Sequence, residues 1–462
     1  MRRFLIASSC VIGLAALGVT PASAQQSRPE RPYRGLFGGG VDGARHLLTA
    51  NLRIGGGYST GLFLGQATTG ESTTPIEQRS SATYNNFNGG LTYSLNAGRA
   101  TMNASAAANG RYFPEYGNTV IVGYGGAVAG TFALSTRTSV RASQGLSYQP
   151  LFNLPFFADA FEPVEGLFTP IDQAFGTTEV GYRSVDTNAG VEHQLTRRSR
   201  FTLAYRRGRS DGTGDAASRD QIGRVYQDAS AQLQFALSRI LSLRLGYGYG
   251  WSEADMASQP DAPARFTSQR IDAGVDVSKA IALTRRTRLA FSTGTTAISD
   301  QNNTQVTVIG NASLTREVGR TWNVGLNYVR NVRFVDTLQQ PVFSDAVGLG
   351  VGGLLNRRMS FQSSVGAAFG RIGLGVDTNT PDRRNNRYTS YYTTAGLSIG
   401  LTRNLALTTS YTYYRYTVDD VSPLPASARF DQLNRHAVQA SLELWAPLFQ
   451  SRNRSRSTNA SR

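Results

Sequence analysis

A short turn signature recurs eight times along this chain. In each copy a leucine ends an alternating run, two or three small polar residues follow, an arginine closes the turn and alternation restarts. The copies are Leu95-Asn-Ala-Gly-Arg99, Leu134-Ser-Thr-Arg137, Leu195-Thr-Arg-Arg198, Leu237-Ser-Arg239, Leu283-Thr-Arg-Arg286, Leu314-Thr-Arg316, Leu355-Asn-Arg-Arg358 and Leu401-Thr-Arg403. They lie about 40 residues apart, the length of two strands, a tight turn and a longer loop. Hairpins in series leave two edges unless the sheet closes on itself, so the pattern favours a barrel.

The N-terminus has the form of a secretory signal. Arg2 and Arg3 precede an apolar stretch from Phe4 to Val19, and Ala22-Ser23-Ala24 is an A-x-A cleavage site. Residues 1–24 are therefore expected to be removed. The other reading, a membrane anchor, needs a longer apolar run and no cleavage site. Cys10, the only cysteine, lies inside the signal, so the mature chain has no disulfide or thiol chemistry.

Beyond the signal no run of 18 or more apolar residues occurs, which excludes a helical membrane protein. Yet 49 Gly, 21 Tyr and 22 Phe accompany only 17% charged residues, a composition that suits crowded strands and interfacial aromatics better than a soluble α/β enzyme. The net charge of +16, or +14 without Arg2 and Arg3, is carried almost wholly by arginine; Lys279 is the only lysine. A basic chain suggests nucleic acid, but export argues against it. The arginines fall in the repeated turns and in a tail with Arg452, Arg454, Arg456 and Arg462.

Period-two alternation places eighteen strands near 46–60, 84–95, 100–112, 120–134, 139–149, 181–195, 200–209, 222–237, 240–252, 267–283, 288–298, 304–314, 320–331, 345–355, 359–370, 388–401, 405–417 and 434–449. Parity separates the faces. Leu241, Leu243, Leu245, Tyr247, Tyr249 and Trp251 share one side, and Ser242, Arg244, Gly246, Gly248 and Gly250 the other. A soluble sandwich would also alternate. Three features favour a membrane barrel instead. Short turns (96–99, 135–138, 196–199, 238–239, 284–287, 315–319, 356–358, 402–404) alternate with longer loops (61–83, 150–180, 210–221, 253–266, 332–344, 371–387, 418–433). Tyr112, Tyr148, Tyr182, Tyr205, Tyr226, Tyr249, Tyr328, Tyr388, Tyr391, Tyr411 and Tyr413 sit at the long-loop ends, as an aromatic girdle would. The even strand count puts both ends on the periplasmic side. The expected fold is all-β, a closed antiparallel transmembrane barrel of about 18 strands over residues 46–449, with short periplasmic turns and long extracellular loops. A short lead-in at 25–45 precedes it, and a basic, disordered tail at 450–462 follows.

No catalytic constellation is legible. His46, His193 and His436 lie on different strands without ligand spacing, which favours interfacial histidines over a metal site. Gly348-Leu-Gly350-Val-Gly352-Gly353 matches G-x-G-x-x-G, but strand pattern rather than a helix follows it, so no dinucleotide site is expected. No G-x-S-x-G elbow is present, and neither an enzyme nor a cofactor is expected.

The inward parity is more informative. It carries Arg53, Arg141, Arg206, Arg224, Arg244 and Arg270 together with Asp186, Glu192, Asp228, Asp272, Asp276 and Glu443. Charges on so many strands require water inside, because unpaired charge in a dry interior costs several kcal/mol. These residues are the candidate pore lining. The other reading is a lumen sealed by ion pairs and inserted loops. The 150–180 loop is apolar and acidic and carries Asp159, Glu162, Glu165 and Asp172 without an arginine. It is expected either to fold into the mouth and narrow the pore or to cap the surface and dock a partner.

The mature chain resembles the outer-membrane β-barrel porins of Gram-negative bacteria. More narrowly, Leu433-Asn-Arg-His-Ala-Val-Gln-Ala-Ser-Leu-Glu-Leu-Trp445 and the L-[ST]-R turns resemble barrel proteins associated with exopolysaccharide export. The porin resemblance implies passive passage of solutes through a water-filled lumen, and the narrower one a polysaccharide export pore. In trimeric porins the third outer loop folds inward, as expected here for 150–180. The tail beyond Phe449 departs from their terminal aromatic. Implied partners are outer-membrane lipid and lipopolysaccharide, the barrel assembly machinery, periplasmic chaperones and polysaccharide export components, with no nucleic acid. The alternative is a structural or ligand-binding barrel with a closed lumen that recognises something through its long loops.

Overall fold

The computed structural model of the chain describes residues 35–38, 44–64, 80–115, 119–151, 176–213, 222–256, 259–277, 281–284, 286–299, 304–334, 341–372, 387–419 and 432–452. Its strand segments are β1 (Ala44–Leu64), β2 (Ser80–Ala97), β3 (Ala100–Phe113), β4 (Thr119–Ala133), β5 (Thr138–Leu151), β6 (Gly176–Gln194), β7 (Ser199–Thr213), β8 (Ile222–Ala236), β9 (Leu241–Met256), β10 (Gln259–Val277), β11 (Ile281–Thr284), β12 (Thr287–Ser299), β13 (Thr304–Val318), β14 (Trp322–Phe334), β15 (Pro341–Leu354), β16 (Met359–Ile372), β17 (Arg387–Gly400), β18 (Leu405–Val418) and β19 (Gln432–Arg452). Sequential neighbours pair antiparallel, and β1 pairs with both β2 and β19, which closes the sheet. The short β11 continues β10, and both pair with β12, so the barrel has 18 strands around its circumference and one extra segment.

Following the register once around the barrel returns to β1 about 24 residues from the start, which with about 3.3 Å per residue and about 4.8 Å between strands gives a tilt of roughly 40° and a backbone diameter of about 37 Å. At the long-loop end Phe63–Leu64 of β1 also pairs in parallel with Gly176–Thr177 of β6. That contact ties together two strands with four others between them.

The recurring turns have a common cause. In Leu134-Ser-Thr-Arg137 the Ser135 Oγ accepts hydrogen bonds from the Arg137 and Thr138 backbone N–H groups at 3.1 and 3.0 Å. Thr196, Ser238, Asn356 and Thr402 do the same in their own turns. A short side-chain oxygen after the leucine thus satisfies the donors that the reversal would orphan. The arginine that closes the turn then begins the next pairing. The carbonyls of Arg137, Arg198 and Arg358 accept from Gln194, Ala236 and Gly400. In the turn from β2 to β3 no capping residue is needed, because Gly98 takes a positive φ of 64°. The lead-in is anchored on this rim, with Leu36 N–H donating to the Arg357 carbonyl and Gly38 N–H to that of Arg403.

The exterior is apolar and bare. Leu134, Leu237, Leu283 and Leu355 of the turns are all half exposed, as are Leu52, Ile54, Leu203, Leu245, Val306, Val365 and Leu442 higher on the strands. An apolar surface of this extent is stable only against lipid. The interior carries the opposite parity: Ser59, Asn86, Ser242, Asp276, Thr408 and Ser441 are buried.

Three expectations are corrected. The 253–266 loop is largely strand, since β9 runs to Met256 and β10 starts at Gln259. The register shifts between Gln259 and Ala264, the stretch that holds Pro260 and Pro263, where proline has no N–H to give a ladder. Tyr226 and Tyr388 are not girdle residues. Both point inward, Tyr388 buried and Tyr226 half buried, because each shares parity with the polar positions of its strand.

Candidate functional site, the barrel lumen

On β6–β10 the inward positions hold a lattice of opposite charges. Arg270 lies 3.3 Å from Asp228 and 3.4 Å from Asp272, on strands β8 and β10 that flank β9. Arg244 of β9 donates from Nη1 to Asp276 Oδ1 at 2.7 Å. Asp186 of β6 accepts from the Tyr226 hydroxyl at 2.5 Å and faces Arg206 at 4.0 Å. The Arg206 guanidinium also lies 5.1 Å from the Tyr226 ring centre, and Arg224 donates to Ser252 Oγ at 2.9 Å. Nearer the short turns Glu192 pairs with Arg200 at 3.1 Å. At the closing seam Arg53 and Glu443 are register partners on β1 and β19 and form a 2.8 Å ion pair. Arg141 has no carboxylate within ion-pair distance among the described residues and lies against Gly190.

Glycines make this lattice possible. A Cβ on Gly248 would stand 3.0 Å from the Arg270 Nη2, one on Gly294 3.1 Å from the Arg244 Nη2, and one on Gly190 2.9 Å from the Arg141 Nε. A Cβ on Gly208 would overlap the Tyr226 ring. Arg270, Arg141 and Tyr226 therefore lie over a glycine of the adjacent strand, and Arg244 over one two strands away, rather than projecting across the bore.

The opposite wall, β15–β18, differs. Its inward positions carry Ser, Thr, Gln, Gly, Ala, Tyr and short aliphatics, and no charged residue. Ser364 and Thr394 hydroxyls meet at 2.7 Å, and Gln362 lies over Gly396.

At the long-loop ends of β2–β4, β12 and β15–β18 the inward face becomes apolar. Tyr84, Phe113, Ile121, Ile298, Val342, Ile372, Tyr388, Tyr392, Tyr414, Tyr416 and Val418 form a buried collar. Arg111 lies over the Tyr84 ring, and Arg435 donates to Ser59 Oγ at 2.9 Å. Arg111, Arg435, Tyr226 and the Arg288–Glu317 pair (3.8 Å) were missed in the sequence. For Arg435 the signal was present: it continues the parity of Gln439, Ser441 and Glu443. The collar had no such signal, because Tyr411-Thr-Tyr-Tyr-Arg-Tyr416 puts aromatics on both faces.

The histidines sit outside the bore. His46 pairs with the Tyr93 hydroxyl at 2.8 Å, His193 with Thr138 at 2.9 Å and His436 with Tyr411 at 2.9 Å, on three separate strands. Among the described residues no group of His, Cys, Asp or Glu could hold a metal. Gly348, Gly350 and Gly352 lie on β15, which runs into the 355–358 turn and not into a helix. Asp159, Glu162, Glu165 and Asp172 lie outside the described residues.

No family model matches the chain, and no curated protein matches it. Among solved structures it is similar to the siderophore receptor PirA from Pseudomonas aeruginosa, with TM-score 0.42 and 10% identity over 87% of this chain and 80% of that one. It is also similar to P. aeruginosa OpdQ (TM-score 0.40, 9% identity, 87% and 98% covered) and OccK7 (TM-score 0.42, 11% identity, 87% and 99% covered). Likenesses at these TM-scores transfer no function.

Proposed function

We propose that this chain is an outer-membrane channel through which solutes pass passively, with its long-loop end facing outward, and that it is not an enzyme. One observation carries the reading. Several charged side chains that point into the bore stay open to solvent: Arg206 is 47% exposed, Arg270 34% and Arg53 27%. Water reaches them, and a barrel of this strand number is wide enough to hold it. In this reading Arg53, Arg141, Arg206, Arg224, Arg244, Arg270, Asp186, Glu192, Asp228, Asp272, Asp276 and Glu443 filter solutes by charge. Narrowing of the mouth by Asp159, Glu162, Glu165 and Asp172 belongs to the same proposal; unchanged conductance after deletion of 155–172 removes it. Its partners would be lipid, lipopolysaccharide, periplasmic chaperones and the assembly machinery. The narrower form is a polysaccharide export pore working with other export components. What favours it is the uncharged hydroxyl wall of β15–β18, which offers hydrogen bonds to a polyhydroxylated chain without binding it by charge.

The collar favours a second reading, a barrel closed at the long-loop end that serves structure or ligand recognition. Conductance in a planar bilayer separates the two. The channel reading expects discrete steps from the purified full-length protein. Folded, heat-modifiable protein that inserts without conducting sinks it.

A further inference from the structure

The lipid-facing belt has a gap on β7. On β4 the outward positions stay uncharged from Val120 to Phe132, whereas on β7 Phe201, Leu203 and Tyr205 are followed at once by Arg207 and Arg209. Both arginines are exposed, and so is the outward Arg183 of β6, which stands opposite Tyr148 on one side and Asp211 on the other. Asp211 is engaged by Arg209, which holds its two oxygens at 3.1 and 2.8 Å. Among the described residues neither Arg183 nor Arg207 has a carboxylate within ion-pair distance. The register partners of Arg207 are Thr187 and Gln227. Thr187 donates to Gln144 at 2.7 Å, and Gln227 accepts from Tyr205 at 3.2 Å.

Among the described side chains, three guanidinium groups thus share one face of two adjacent strands with a single carboxylate between them. Like charges this close repel, and exposed cations on a lipid-facing wall are costly unless they meet an anion. The height is that of a headgroup: the tilted rings of Tyr148 and Tyr124 lie beside Arg183 with centres 5.1 Å apart, and Tyr205 lies just below Arg207. Below them Leu146, Val185 and Leu203 present an apolar surface for acyl chains.

We propose that Arg183, Arg207 and Arg209 form a binding site on the outer wall for the phosphate groups of a lipid A headgroup. Guanidinium binds phosphate oxygens bidentately, and the patch leaves two positive charges unmatched to neutralise them. The site rests on the reading of an outer-membrane barrel with its long loops outward, but it does not depend on an open lumen.

The test uses the purified full-length protein in detergent. Its heat-modifiability midpoint is measured with diphosphoryl lipid A, dephosphorylated lipid A, phosphatidylglycerol micelles or inorganic phosphate. Diphosphoryl lipid A is expected to raise the midpoint in a concentration-dependent way, and the other three are not. The R183Q/R207Q variant, which keeps the Arg209–Asp211 pair, is expected to lose the shift while retaining its unliganded midpoint and its bilayer conductance. An equal shift from dephosphorylated lipid A, phosphatidylglycerol or phosphate overturns the assignment, as does a variant that keeps the full shift. Failure of the channel reading would show as absent conductance with the lipid shift intact.

Discussion

The wall of β6–β10 and the wall of β15–β18 arise from the same period-two pattern and line the same bore, yet they are built on different terms. The first is a neutralised lattice of arginines and carboxylates bedded on glycine. The second is a sheet of hydroxyls, amides and small residues. Alternation requires only that inward residues not be greasy where water reaches them. It leaves the choice between charge and hydroxyl open, and the two choices carry different packing demands. A charged side chain paired with a carboxylate must also lie out of the way, so Arg270 and Arg244 each constrain residues on other strands. A serine constrains nothing.

The sharpest way to break this contrast is to fill a glycine on each wall. Gly208→Ala sets a Cβ into the Tyr226 ring, which must swing away from Asp186 and Arg206. A cost of about 1–3 kcal/mol is expected, read as a lower heat-modifiability midpoint. Gly396→Ala places its Cβ 3.4 Å from the Gln362 Nε2 and 3.7 Å from the Thr409 carbonyl, an ordinary contact. It should cost less than about 1 kcal/mol. Equal costs would mean that glycine on the charged wall serves nothing special.

The second test removes one node of the lattice. Arg270→Ala leaves Asp228 and Asp272 facing the lumen without their shared cation. Each carboxylate attracts a mobile cation by about 1 kcal/mol at contact in water, roughly fivefold; because only ions near this wall feel it, the potassium-to-chloride permeability ratio of the whole bore should rise about two- to threefold. Gln362→Ala on the other wall should leave it unchanged. Reversal potentials across a salt gradient measure both, and a shift toward chloride in Arg270→Ala would contradict the placement.

These pairings also mark what the sequence could and could not reveal. The strands and their ends were legible because the L-x-x-R turns print their mechanism locally. Ser135, Thr196, Ser238 and Thr402 are the capping residues, and the leucines before them face lipid. Inward parity was legible wherever one face was apolar, as at Leu243 and Leu245 against Arg244. The partner of each charge was not. That Arg270 of β10 meets Asp228 of β8, across a strand, depends on register, which no local pattern fixes. The collar was hidden for another reason. Tyr388, Tyr414 and Tyr416 share the inward parity of Ser390 and Thr412, and tyrosine at a long-loop end reads equally as girdle or lining. Nor does alternation announce a cation on the lipid side: Arg206 and Arg207 are adjacent, and only the strand's register puts the first inward and the second outward.

The smallest effect should come from adding charge to the neutral wall. Ser398→Asp places one carboxylate on β17 between Ser360 and Thr408, its register partners. Screening confines its influence to about 10 Å at 0.1 M salt and about 3 Å at 1 M. The bore is much wider than that, so most of the ion stream passes beyond its reach. The cation preference should rise by less than about 1.5-fold at 0.1 M and return to the starting value at 1 M. Arg270→Ala should outlast it as salt rises, since two carboxylates close together hold a cation at contact, where screening is weakest. If Ser398→Asp instead matches or exceeds Arg270→Ala, permeating ions must travel close to β17. The narrow part of the path would then lie against the uncharged wall, and the charged lattice would be holding the barrel together more than it sorts what passes through.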